Sequence, residues 1–302
     1  MKVFDHAVVR LLPVVPRGVV RRVAAPYIAG ETLGDARRVV AGLTAAGIEA
    51  TVDVLGEEVT RPDEAEAIAR AYHDALEAIE HDGLAANVSV KLTALGAKVD
   101  MALCRSLTER VLRDASERGI FVRIDMEDSS MTDDTLELYR ALRAGGHGEV
   151  GIVLQAALRR TLDDIAALAD LRPSVRLCKG IYLEPSSIAF QEPDVIRKSF
   201  VACLDALLEA GCRTAIATHD EWLLERSLER VQGLGPDAYE FQMLLGVRID
   251  RGRELAAAGH LLRVYVPYGK RWYEYSLRRL QENPKVAGYV ARDMVGRLVP
   301  GR

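Results

Sequence analysis

From residue 49 onward the chain alternates short β-branched apolar runs with alanine- and leucine-rich stretches, and it does so eight times. The strand candidates are Ala50–Leu55, Asn87–Leu92, Phe121–Met126, Gly151–Gln155, Val175–Cys178, Thr214–Thr218, Tyr239–Leu244 and Leu261–Val266. Helical composition fills the intervals, at Pro62–His81, Met101–Arg118, Thr132–Arg143, Leu162–Leu171, Val195–Ala210, Trp222–Gln232 and Asp250–Ala258. Several runs are continuously apolar, which predicts strands buried on both faces. Eight βα units in 302 residues predict an α/β fold closed into a (β/α)8 barrel. An open doubly wound sheet usually carries a glycine fingerprint after its first strand. Here LGEEVTRPDE follows instead.

Residues 1–48 form a helical N-terminal extension, clearest at Asp35–Ala46, and residues 49–302 form the barrel domain. With 49% apolar residues the chain can build a sizeable core. A net charge of −4 argues against a nucleic-acid partner held by bulk electrostatics. Cys104, Cys178, Cys203 and Cys212 lack CxxC spacing and read as reduced, buried thiols of a cytoplasmic protein. No apolar run approaches the ~18–20 residues that span a bilayer. The opening MKVFDHAVVRLLPVVPRGVVRR is basic and mildly amphipathic. Asp5, His6 and Arg10 interrupt it and no small-residue cleavage site follows, so it reads as a capping helix.

A barrel places its chemistry at the carboxyl ends of its strands. Those ends carry Glu57, Lys91, Asp125 with Glu127, Gln155, Arg176 with Lys179 and Tyr182, Thr218 with His219, Gln242, and Tyr265 with Tyr268. Any one of them has a plain explanation as a satisfied buried group or a helix cap. All eight together predict one polar site, because a buried charge is costly without partners. The last strand feeds YGKRWYEYSLRR, where Trp272, Tyr275 and Arg279 share a helix face with Arg278 beside them. Paired guanidiniums beside aromatic rings suit a carboxylate or phosphate, and a solvated basic helix explains the segment equally well. His219 stands alone at its strand end, short of the partners a catalytic zinc needs. No strand-end serine has a nucleophile motif, and a Schiff-base lysine at Lys91 or Lys179 stays open. Many hydrogen-bonding groups without an evident nucleophile point to a cofactor.

These motifs resemble the proline dehydrogenase family over roughly residues 40–295. LGE, SVKLTALG, RIDMEDS, VLQA, RLCKGIYLEP, ATHD, EFQMLLG and VYVPYGKRWYEYSLRRLQENP carry the resemblance, the last most specifically. The chain is most similar to the short, monofunctional bacterial form. The resemblance implies FAD-dependent oxidation of L-proline to Δ1-pyrroline-5-carboxylate by hydride transfer to flavin N5, as the first step of proline catabolism. It implies a quinone as electron acceptor, a separate pyrroline-5-carboxylate dehydrogenase downstream, and room for peripheral membrane contact. Catalytic roles then fall to Asp125 and Arg176. Lys91, Arg278 and Arg279 bind the substrate carboxylate, and Tyr182, Tyr265 and Tyr275 wall the ring. Glu57 competes with substrate for Arg278. FAD contacts fall to Met126, Gln155, Arg176, Lys179, Gly180, Ile181, Tyr182, Thr218, His219 and Gln242, and no metal is implied. Leu245, Ile181 and Leu183 depart from the family pattern in the flavin surround, outside the substrate clamp.

Overall fold

The computed structural model describes residue 21 and residues 25–56, 59–273 and 275–276. Helix α1 (Leu33–Ala45) precedes β1 (Glu49–Val54), α2 (Pro62–His81), β2 (Ala86–Val90), α3 (Met101–Glu117), β3 (Val122–Ile124), α4 (Thr132–Ala144) and β4 (Val150–Gln155). There follow α5 (Thr161–Leu168), β5 (Ser174–Cys178), α6 (Pro193–Glu209), β6 (Thr214–Ala217), α7 (Glu221–Val231), β7 (Tyr239–Leu244), α8 (Ile249–Ala257) and β8 (Leu262–Tyr268). All eight strands are parallel, each pairs with the next, and β8 closes onto β1. The architecture is a (β/α)8 barrel.

Local chemistry explains the helix starts. Pro62 opens α2, where its missing N–H costs nothing, and Asp63 and Glu64 favour the positive end of the helix. Thr32 and Asp35 form a reciprocal capping box on α1, each side chain accepting from the other's backbone N–H. Helix α1 packs against both β1 and β8, and Ala36 and Val40 join the same apolar cluster as Val52 and Ile79. The seam where the barrel closes is thus covered by a helix that comes before the first strand.

The strands are buried on both faces, as the apolar runs predict, and in several of them the positions facing the barrel axis are polar. Ala50, Val52 and Val54 join the outer apolar cluster, while Thr51 hydrogen-bonds across to Asn87 at 2.6 Å. Arg123, Arg176, Glu240 and Arg263 are likewise buried and linked to one another's neighbours inside the barrel. Small residues make the room: a Cβ on Gly151 would lie 2.6 Å from the Arg123 Nη1.

Three strand ends differ from the sequence reading by two residues. β2 stops at Val90 and β3 at Ile124, so Lys91 and Asp125 lie just past the ladder. β8 runs on to Tyr268, because Leu55 N–H donates to Tyr268 O (2.9 Å) and Ala29 N–H donates to Pro267 O (2.9 Å). Gly269 N–H in turn donates to Gly30 O at 3.0 Å. Residues 28–30 therefore run beside the mouth end of β8. Ile28, Leu55 and Tyr275 bury one another there, with Trp272 packed against them.

Candidate active site at the barrel mouth

Just beyond β2, Lys91 stands between two acids. Its Nζ lies 3.0 Å from Asp53 Oδ1 and 3.2 Å from Asp125 Oδ2, and it donates to the Tyr265 hydroxyl at 2.9 Å. That hydroxyl donates onward to Asp125 Oδ2 at 2.8 Å. The other carboxylate oxygen of Asp125 accepts from Arg176 Nη1 at 2.6 Å. Arg176 also donates from Nη2 to Ser89 Oγ (3.0 Å) and from Nε to Gln242 Oε1 (2.5 Å). Charges therefore alternate in one connected group: Asp53, Lys91, Asp125, Arg176.

That alternation sets the protonation states. Burial alone would push the Asp125 carboxyl up, but Lys91 and Arg176, with the Tyr265 hydrogen bond, hold it below its ordinary value. Burial would push Lys91 down, yet Asp53, Tyr265 and Asp125 hold its ammonium well above the usual range. Burial and then the nearby Asp125 and Asp53 charges raise the Tyr265 phenol, so it stays protonated and able to donate. Asp125 is thus a carboxylate, Lys91 an ammonium and Tyr265 a neutral phenol at physiological pH.

The remaining sequence candidates surround this group. Met126 is buried directly after Asp125. Gln155, at the end of β4, donates from Nε2 to Glu127 O at 2.7 Å. Gly180 adopts φ +100°, and a Cβ there would lie 2.7 Å from Gln155 Oε1, so the backbone after β5 passes close to that amide. Tyr182 is half-buried, and burial raises its phenol. Ile181 and Leu183 are exposed. Lys179 reaches Asp220 at 3.2 Å, which Arg197 also holds at 2.9 Å, so Asp220 balances two cations and gives α7 no side-chain cap. The Thr218 hydroxyl accepts from Asp220 N–H at 3.2 Å. His219 Nε2 accepts from Leu244 N–H at 2.9 Å, which leaves a neutral ring its proton on Nδ1. Tyr275 is buried in the Ile28–Leu55 cluster. Glu57, Arg278 and Arg279 lie outside the described residues.

Sequence reasoning at the strand ends missed Asp53, Tyr72 and Ser89. Asp53 and Ser89 lie within β1 and β2 and not past their ends, and Tyr72 reaches in from α2 to donate to Ser89 O at 2.5 Å. Asp53 is only 1% exposed, and its Oδ2 has no partner among the described residues. A charged residue inside an apolar strand, two positions from another polar one, is the signal that would have found it.

The family model for Proline dehydrogenase matches residues 36–292. The chain is 38% identical over 275 residues to Proline dehydrogenase from Deinococcus radiodurans, covering 89% of each. It is 35% identical over 271 residues to Proline dehydrogenase 1 from Bacillus subtilis, again covering 89% of each. Among solved structures it is similar to proline utilization A from Bdellovibrio bacteriovorus inactivated by N-propargylglycine. The TM-score is 0.79 at 26% identity, and the match covers 86% of this chain and 32% of that one. The chain thus spans about a third of that longer protein and nearly all of its shorter relatives. The matched residues take in the whole barrel and the polar group at its mouth, and on that span the chain belongs to the proline dehydrogenase family of enzymes.

Proposed function

We propose that this chain oxidises L-proline to Δ1-pyrroline-5-carboxylate, with FAD as the immediate electron acceptor and a quinone as the final one. The observation that carries the reading is the alternating group Asp53–Lys91–Asp125–Arg176 with Tyr265 across it. It offers fixed charge and hydrogen bonds at a barrel mouth, and none of its members is an activated nucleophile. Such a site orients a small charged substrate beside a group that does the redox chemistry.

The residues present fit a flavin. Two of the five N–H groups of Arg176 remain after its bonds to Asp125, Ser89 and Gln242. Gly180 gives close backbone approach beside Gln155, and Met126 gives an apolar wall. Together with Lys179, Ile181, Tyr182, Thr218, His219 and Gln242 they would hold FAD. When bound, FAD supplies a two-electron acceptor for the hydride that leaves the carbon next to the proline nitrogen.

The chain's own part is binding and orientation. Lys91 already faces two carboxylates, so it is a weak holder of a third on its own. A proline carboxylate therefore needs further cations, which Arg278 and Arg279 supply. Tyr182, Tyr265 and Tyr275 shape the space for the ring, and the amine must arrive unprotonated. Asp125 holds Lys91 and Arg176 in fixed relative positions, so neither has to reorganise during reaction. Glu57 competes with the substrate carboxylate for Arg278. The product passes to a separate dehydrogenase, and transfer to quinone takes place at a membrane surface. A visible spectrum of the purified protein tests this: a flavin band that bleaches on addition of L-proline is expected. A protein that neither binds FAD nor responds to proline would overturn the reading.

A further inference from the structure

Beneath the site a second buried group lies one layer down the barrel. Arg263 grips Glu240 with two bonds, Nε to Oε1 at 2.9 Å and Nη2 to Oε2 at 3.1 Å, and Arg213 approaches Oε2 at 3.4 Å. Gln242 stands two residues further along β7, on the same side of the strand. Its Nε2 donates to Glu240 Oε1, and its Oε1 accepts from Arg176 Nε at 2.5 Å. Glu240, Gln242 and Arg176 are all at least nine-tenths buried.

A glutamine amide can face either way, and its neighbours decide which. Here one neighbour is an anion that only accepts and the other a cation that only donates. Both demands agree, so the amide has a single satisfied orientation. Burial would raise the Glu240 carboxyl, but Arg263 brings it down to about 2, so it is an anion throughout the working pH range. The amide also keeps Glu240 from pairing directly with Arg176. The Arg176 charge stays directed at Asp125 and the mouth instead of being drawn down the axis.

We propose that Glu240 is a positioning residue that acts through Gln242 to aim the Arg176 guanidinium at the flavin side of the site. This rests on the role assigned above to Arg176.

The test is a double-mutant cycle. In Glu240→Gln, one carbonyl oxygen must serve Arg263, Arg213 and Gln242, and charge-assisted donors win it. The Gln242 amide is then released. The expected result is a shift in the midpoint potential of the bound flavin, with turnover down about tenfold and the proline KM within about twofold. In a Gln242→Leu background the same substitution should change turnover by less than about twofold and leave the potential in place. Equal effects in both backgrounds would mean a through-space charge effect and would overturn the proposal, as would no effect in either. A crystal structure of Glu240→Gln is read without reference to flavin. A turned Gln242 amide and a displaced Arg176 are expected, and an unmoved Arg176 would overturn the proposal even in a colourless protein. A colourless protein would count separately, against the flavin reading. If Glu240→Gln leaves Arg263 too destabilising to fold, Glu240→Met with Arg263→Met removes both charges together and carries the same comparison.

Discussion

Asp125 accepts from two cations and a phenol, and it is where the site's electrostatics converge. Asp125→Asn keeps the shape and removes the charge, which takes a carboxylate from both Arg176 and Lys91. Breaking a buried pair on one side costs about 3 kcal/mol or more. Urea unfolding at pH 7 should show that loss, and a loss under about 1 kcal/mol would reduce the cluster to the weight of a surface pair. Glu240 makes a prediction of definite sign. Its carboxyl is lowered from 4.5 to about 2, so as pH falls the unfolded chain takes up this proton first. The stability it contributes is present above about 4.5 and is lost as pH falls toward 2. Unfolding free energy should therefore drop between about pH 5 and pH 3, and it should drop less steeply in Glu240→Gln. An equal slope in both proteins would show that other carboxylates govern the acid limb.

At the scale of elements, the mouth depends on a segment that comes from the other end of the chain. Residues 28–30 bond to the end of β8, and Ile28 and Leu55 bury Tyr275. Gly246, in the turn after β7, has φ +76°, and a Cβ there would lie 2.2 Å from the Pro26 carbonyl oxygen. Gly246→Ala should lever this segment away. Gly259→Ala is the matched control, with φ +89° and nothing within 4 Å of the added carbon. Both substitutions carry the backbone strain of a left-handed residue, about 1 kcal/mol. Only Gly246→Ala should speed hydrogen exchange at the Ala29 and Gly269 amides. Equal exchange in the two variants would mean that the segment tolerates the displacement.

At the scale of the whole molecule, α1 covers the seam where the barrel closes. Its Ala36 and Val40 are almost fully buried in the core that contains β1. Removing residues 1–48 would expose the apolar seam of β1 and β8. Such a truncation should lose cooperative unfolding by near-UV circular dichroism and bind an apolar dye. A cooperative melt at the full-length midpoint would show that the barrel closes without α1.

Strand order, most helix limits and the polar strand ends were legible along the chain, because apolar periodicity and strand-to-helix rhythm are local properties. Helix α2 matched residue for residue at Pro62–His81, where a proline start, early acids and an even apolar stripe all agree. Lys91, Asp125 and Arg176 could be singled out as charges set at the ends of apolar runs. Their partners could not. Asp53 and Lys91 are 38 residues apart, and Lys91 and Tyr265 are 174 apart. Pairing of β1 with β2 brings Asp53 to Lys91, and closure of β8 onto β1 brings Tyr265 within hydrogen-bonding distance. Closure also assigns an inside to each strand, which turns Thr51, Asn87, Arg123 and Glu240 from interruptions of apolar runs into the lining of the axis. The sequence by itself determined how many strands there are and which charges they carry. The tertiary structure decided which charges meet, because side chains two residues apart share a face only once a strand has a face to share.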